Sequence, residues 1–127
     1  MTKEQVRDYA LSIAELLSSK KGRDVLVIDI EQINSIADFM VIATADSNLH
    51  QGALARTVDD KLHDLGIKKF HALDTSTDSP WILMDCGMIL INLFTDEGRT
   101  FYSLEKLWGD GEVIYEDSSS ERELKIY

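Results

Sequence analysis

The sequence predicts a single α/β domain, a mixed β-sheet flanked by helices, and three observations lead there. Four apolar runs have strand length: DVLVIDI (24–30), DFMVIATA (38–45), WILM (81–84) and MILINLF (88–94). Two longer stretches carry apolar residues at helical spacing, and strands separated by helices form layered sheets that are partly parallel. The 127 residues are 44% apolar with one proline, enough for one domain with a real core and too apolar for disorder.

The first helix runs from Thr2 to about Lys20. Thr2 and Gln5 fit a capping box, each side chain satisfying a free backbone N–H at the helix start. Val6, Ala10, Ile13 and Leu17 would face the core. Lys20, Lys21 and Arg23 follow, with Gly22 suited to the position after the helix. Helix-end charge accounts for this basic cluster better than contact with RNA.

Two strands come next, 24–30 and 38–45, with Ile33 and Ile36 in a short helical turn between them. Ser47 or Asn48 can cap a long second helix to Leu65. Its inward stripe is Gln51 or Leu54, Val58, Leu62 and Leu65, and Gly66 ends it. Residues 67–79 read as a polar connector anchored by Phe70 and Leu73.

The stretch from Trp81 to Trp108 organises the rest. Its two apolar runs flank Asp85-Cys86-Gly87, where Gly87 supplies the positive φ of a tight connection. Trp81, Leu83 and Asp85 share one face, Ile82 and Met84 the other, and both faces are apolar. Asn92 is the single polar residue of the second strand. Strands like these are buried on both faces by their own domain or cover one face with a partner. Thr95 and Asp96 then start a last short helix, with Phe101, Leu104, Leu107 and Trp108 as its buried face. The domain spans 1–111. Residues 112–127 are an acidic C-terminal tail, in which Glu112 to Tyr115 can add an edge strand.

Composition narrows the function. A net charge of −10 disfavours bare nucleic acid, whose phosphates need Lys and Arg, and favours basic protein partners. The lone Cys86 cannot form an internal disulfide and suits a reducing compartment. No apolar run nears the ~20 residues of a membrane span and no signal peptide is evident, so a cytoplasmic protein is expected.

Catalytic chemistry finds little support. His50, His63 and His71 lack metal-ligand spacing, Cys86 has no identified histidine partner, and there is no P-loop or GxGxxG. Asp38 opens an apolar strand as in nucleotidyltransferases, which place two carboxylates two residues apart to hold Mg²⁺. Here the second position is Met40, and Asn34-Ser35 lacks the Gly-Ser turn that grips phosphate. No catalytic residue, metal or cofactor is expected, and a vestigial or altered nucleotide-binding enzyme is the alternative reading.

Four pieces together resemble the Iojap-like ribosomal silencing factor family: DVLVIDI at 24–30, SIADFMVIATADSN at 35–48, WILMDCGMILINLF at 81–94 and RTFYSLEKLWGDG at 99–111. The second is close to the family's SIADYFVIATGNSN. The third matches its W-hhh-D-h-G-hhhhh-hF signature and the fourth its R-x-h-Y-x-LE-x-LW-GDA close. Three positions depart: Cys86 stands where Tyr or Leu is common, Asn92 where many members carry His, and Met88 where an acid is common.

The resemblance implies a nucleotidyltransferase-like fold without the catalytic carboxylates and a translational repressor without enzyme activity. Its partner would be the large ribosomal subunit, bound through a basic ribosomal protein at the subunit interface. Occupying that face would sterically block joining of the subunits and lower translation under nutrient limitation. Trp81, Leu83, Asp85, Cys86 and Asn92 are the candidate ribosomal-protein-binding residues, with Phe94, Leu104, Leu107 and Trp108 assigned to the core. A free chain exposing this patch can also pair as a homodimer.

Overall fold

The computed structural model of the chain describes residues 2–33, 35–70, 79–107 and 109–117, with the backbone alone at Glu105 and Leu107. The expectations for His71, Leu73 and Trp108, and for the side chain of Leu107, lie outside the described residues. In chain order the elements are α1 (Lys3–Ser19), β1 (Arg23–Asp29), β2 (Phe39–Thr44), α2 (Asn48–Leu65), β3 (Trp81–Asp85), β4 (Ile89–Phe94), α3 (Asp96–Tyr102), α4 (Leu104–Leu107) and β5 (Glu112–Asp117).

Local chemistry sets the ends of the long helices. Thr2 and Gln5 form the expected capping box on α1, and Val6, Ala10, Ile13 and Leu17 are all buried. The end of α1 differs from the expectation. Lys21, not Gly22, takes the left-handed conformation, at φ 70°. Gly22 is needed for space, because a Cβ there would lie 2.8 Å from the Leu17 carbonyl oxygen. Arg23 belongs to β1 and bonds to Asp46 and Asp96 instead of capping the helix. For α2 the reading holds: Ser47 accepts the His50 N–H and Gly66 closes the helix at φ 71°.

The five strands form one sheet in the order β3-β4-β2-β1-β5. The central pair, β2 and β4, is parallel and joined through α2, while the other neighbours are antiparallel. All six residues of β2 are buried, as a strand covered on both faces must be. The edge strand expected at Glu112 to Tyr115 extends to Asp117 and pairs with β1. Tyr115 Oη lies 2.9 Å from Ser18 Oγ on α1, so the start of the acidic segment is tied into the sheet.

The sheet has two unequal faces. Helices α1 and α2 cover one, where Val25, Val27, Phe39, Val41, Ile82, Met84, Ile91 and Leu93 meet Ile13, Leu17, Leu54 and Val58. On the other, Ile28, Ile30, Met40, Ile42 and Phe94 gather around Leu104, with Leu26, Trp81 and Leu90 half-buried at the margin. Among the described residues, only short elements cover this second face. The expected buried stripe of one last helix is therefore corrected. Ser103 adopts the left-handed conformation (φ 47°) and splits the segment into α3 and α4, so Leu104 is buried while Phe101 is 81% exposed.

Candidate functional site

The sparsely covered face is where the candidate residues converge, and the β3–β4 hairpin builds it. Alternation along β3 sends Ile82 and Met84 into the helix-side core and Trp81, Leu83 and Asp85 to the opposite face. The register places Leu83 opposite Asn92 and Asp85 opposite Leu90, so four of the five candidates share one side of the hairpin. Gly87, at φ 79°, closes the turn, and Asp85 Oδ1 accepts the Gly87 N–H at 2.9 Å. Asp85 thus caps the hairpin while setting a carboxylate at its end.

Each residue of the group does something different. Leu83 is 50% exposed, an apolar side chain left half in water in the free chain. Trp81 is half-buried. Its ring stacks on Phe94 (centroids 5.5 Å apart, planes at 24°) and meets Tyr102 at 4.7 Å, while Nε1 donates to Asn92 Oδ1 at 2.9 Å. Asn92 is only 1% exposed, so in the free chain its amide is offered to Trp81 and the neighbouring strand and not to a partner's surface. Cys86 stands apart from the other four. It packs against the helix-side core, and burial, assisted by the Asp85 charge, pushes its thiol up to about 11. A nucleophilic cysteine needs the reverse, an accessible and depressed thiol.

Two residues of this face were missed as surface residues. Tyr102 packs on Trp81, and Phe101 meets Tyr102 edge-on at 5.0 Å while projecting outward. With Pro80, Glu97 and Gly98 they line a groove of about 380 Å³ beside Trp81. Gly98 makes this proximity possible, since a Cβ there would fall 2.1 Å from the Pro80 carbonyl oxygen. No glycine or proline marks the break at Ser103, so the sequence carried no signal that Phe101 leaves the core. Met88 (45% exposed) extends the apolar surface to the hairpin tip.

A second concavity lies where ligands bind in open α/β sheets, beyond the carboxyl ends of the parallel strands β2 and β4. It measures about 300 Å³ and is lined by Asp46, Ser47, Asn48, Pro80, Thr95, Asp96 and Glu97. The Ser47 and Thr95 hydroxyls are occupied capping α2 and α3. Arg23 bonds to both Asp96 oxygens at 2.8 Å and to Asp46 at 2.6 Å. Three carboxylates around one committed guanidinium repel phosphate. Two residues beyond Asp38, Met40 is buried, so that strand carries no carboxylate pair. Among the described residues no group of three or more His, Cys, Asp or Glu side chains is placed to hold a metal ion. His50 is structural: Nδ1 accepts the Asp46 N–H and Nε2 lies 2.9 Å from the Lys20 carbonyl oxygen.

Residues 3–125 match the family described as "Ribosomal silencing factor during starvation". The chain belongs to this family. Ribosomal silencing factor RsfS of Bacillus subtilis is 34% identical over 99 residues, 76% of this chain and 81% of that protein. Protein Iojap, chloroplastic, of Zea mays is 30% identical over 108 residues, covering 84% of this chain and 46% of that protein. A crystal structure of a Chromobacterium violaceum protein superposes with a TM-score of 0.74 at 28% identity, over 86% of this chain and 88% of that one. Silencing-factor membership spans the hairpin, α3 and β5 together. Among the described residues no helix is long and apolar enough to cross a membrane.

Proposed function

We propose that this chain is a cytoplasmic translational repressor without catalytic activity, acting by occupancy. It binds a basic protein of the large ribosomal subunit at the subunit-joining surface and sterically blocks association with the small subunit. The observation that carries this reading is the exposure of Leu83 on the hairpin, between Trp81, packed on Tyr102, and the Asp85 carboxylate. An apolar centre flanked by acid suits a partner with an apolar patch ringed by Lys or Arg. The net charge of −10 draws such a partner in and discourages indiscriminate contact with RNA. Family membership supplies the ribosome as the place to look.

Trp81 and Leu83 are the apolar anchors of the proposed contact, Asp85 its charge, Phe101 and Tyr102 its flank. Cys86 and Asn92 support it from behind. The test is co-sedimentation with purified large subunits, followed by a subunit-joining assay. Wild-type chain is expected to sediment with large subunits and reduce joining, and Leu83→Glu and Asp85→Arg to weaken both. Absence of binding by the wild type would reject the reading, and binding that survives both substitutions would move the contact elsewhere.

A further inference from the structure

Asn92 is the one polar side chain of β4, nearly inaccessible, and all of its amide is engaged. Nδ2 donates to the Val41 carbonyl at 3.2 Å and the Leu90 carbonyl at 3.3 Å, and lies 2.7 Å from Met40 Sδ. Oδ1 accepts from Trp81 Nε1 at 2.9 Å. The amide fits only one way round, because flipping it would set its oxygen against two carbonyl oxygens and its NH₂ against the indole N–H. Placing an amide inside an apolar strand is unfavourable relative to an aliphatic residue, so its presence calls for a compensating role.

We propose that Asn92 is a positioning residue for Trp81, fixing the orientation in which the indole meets its partner. The proposal rests on the partner-binding reading above. The stacking of Trp81 on Phe94 and Tyr102 sets where the ring lies but is tolerant of which edge faces inward. The hydrogen bond is directional and holds the Nε1 edge against the sheet, leaving the hydrocarbon part of the indole for the outside. Without an acceptor at 92, the indole N–H must remain unpaired under the ring or turn to water. Because Trp81 is only half-buried, a turned ring is accessible. An anchor with several orientations loses affinity through the ordering it must undergo on binding.

The test reads the indole N–H of Trp81 by NMR in the free chain, assigned by its loss in Trp81→Phe, together with sedimentation with large subunits. Asn92→Leu is expected to keep the fold by circular dichroism, shift the Trp81 indole resonance, speed its hydrogen exchange at least tenfold, and weaken subunit binding about five- to tenfold. Asn92→His is expected to restore both properties at neutral pH, where the uncharged imidazole offers an acceptor nitrogen to the indole N–H. A purely structural role for Asn92 would leave the indole resonance and its exchange unchanged in folded Asn92→Leu. Wild-type resonance and binding in Asn92→Leu, or weaker binding with an unchanged resonance, overturns the proposal. Should Asn92→Leu not fold, full binding by Asn92→His with a displaced, fast-exchanging indole overturns it equally. Failure of wild-type chain to sediment with subunits overturns the partner reading instead, and the indole arm then decides alone whether Asn92 orients the ring.

Discussion

Leu83 and Cys86 sit three residues apart and face opposite fates. Leu83 is exposed and supports no core, so Leu83→Glu is expected to change thermal stability by no more than about 0.5 kcal/mol while disrupting subunit binding. A joint measurement of melting and sedimentation checks this; a large loss of stability would show that Leu83 is packing, not contact. Cys86 is packed, and its thiol stays protonated well past the ordinary range of ~8.5. Reaction with a disulfide reagent is expected to be slow at pH 8 and to rise with a midpoint of about 11. The linked stability follows in sign. The unfolded thiol ionises first, so the folded form alone retains the proton between the unfolded range and about 11. Stability from this group is complete below ~8.5 and is lost as pH rises through that window. Melting curves of wild type and Cys86→Ala should therefore diverge above pH 8.5 less steeply for the variant; parallel curves would refute the assignment. The face that Trp81 shares with Leu83 and Asp85 was legible because alternation along β3 assigns faces without any knowledge of the fold. The burial of Asn92 was not legible, because it depends on Met40 and Trp81 arriving from two other strands.

At the scale of elements, what the sequence specified best was what is local. The capping box at Thr2 and Gln5, the Ser47 cap and the Gly66 stop each reside within one turn of backbone, and each appears where the residues predict it. The last helical segment was misread for the opposite reason. A helical wheel puts Phe101 and Leu104 on one side only if the helix is continuous, and the left-handed Ser103 interrupts it. What places α3 is contact with Pro80: Thr95 N–H donates to the Pro80 carbonyl at 3.1 Å, and Gly98 lets the helix lie against that same residue. Gly98→Ala is thus expected to push α3 away from Pro80 and destabilise the chain by about 1–3 kcal/mol, despite alanine's better helix propensity. It should also pull Tyr102 off Trp81, visible as a change in tryptophan emission along with weaker subunit binding. Unchanged melting and emission would show that the helix approaches Pro80 less closely than its backbone geometry requires.

For the whole molecule, a net charge of −10 accompanies a contact face whose exposed centre, Leu83, is apolar. Association with a basic partner should therefore depend on ionic strength mainly through the on-rate. Raising salt from ~50 to ~500 mM is expected to slow association with large subunits about tenfold and leave dissociation almost unchanged. Kinetics on immobilised subunits distinguish this from a contact held mainly by charge pairs, in which dissociation would accelerate as well. The fold class and the mixed sheet were readable from strands alternating with helices. The order of the strands was not, since parallel pairing of β2 with β4 depends on a connection that passes over the sheet.

That order has a consequence for the chain as it leaves the ribosome that makes it. β1 and β2 can zip together early, yet the other edge of β2 waits for β4, about fifty residues later, including the whole of α2. Throughout that interval FMVIAT, six residues destined for complete burial, stands as an unpaired apolar edge. Nascent chains are most open to mispairing in this window, and translation speed across α2 and the connector sets how long it lasts.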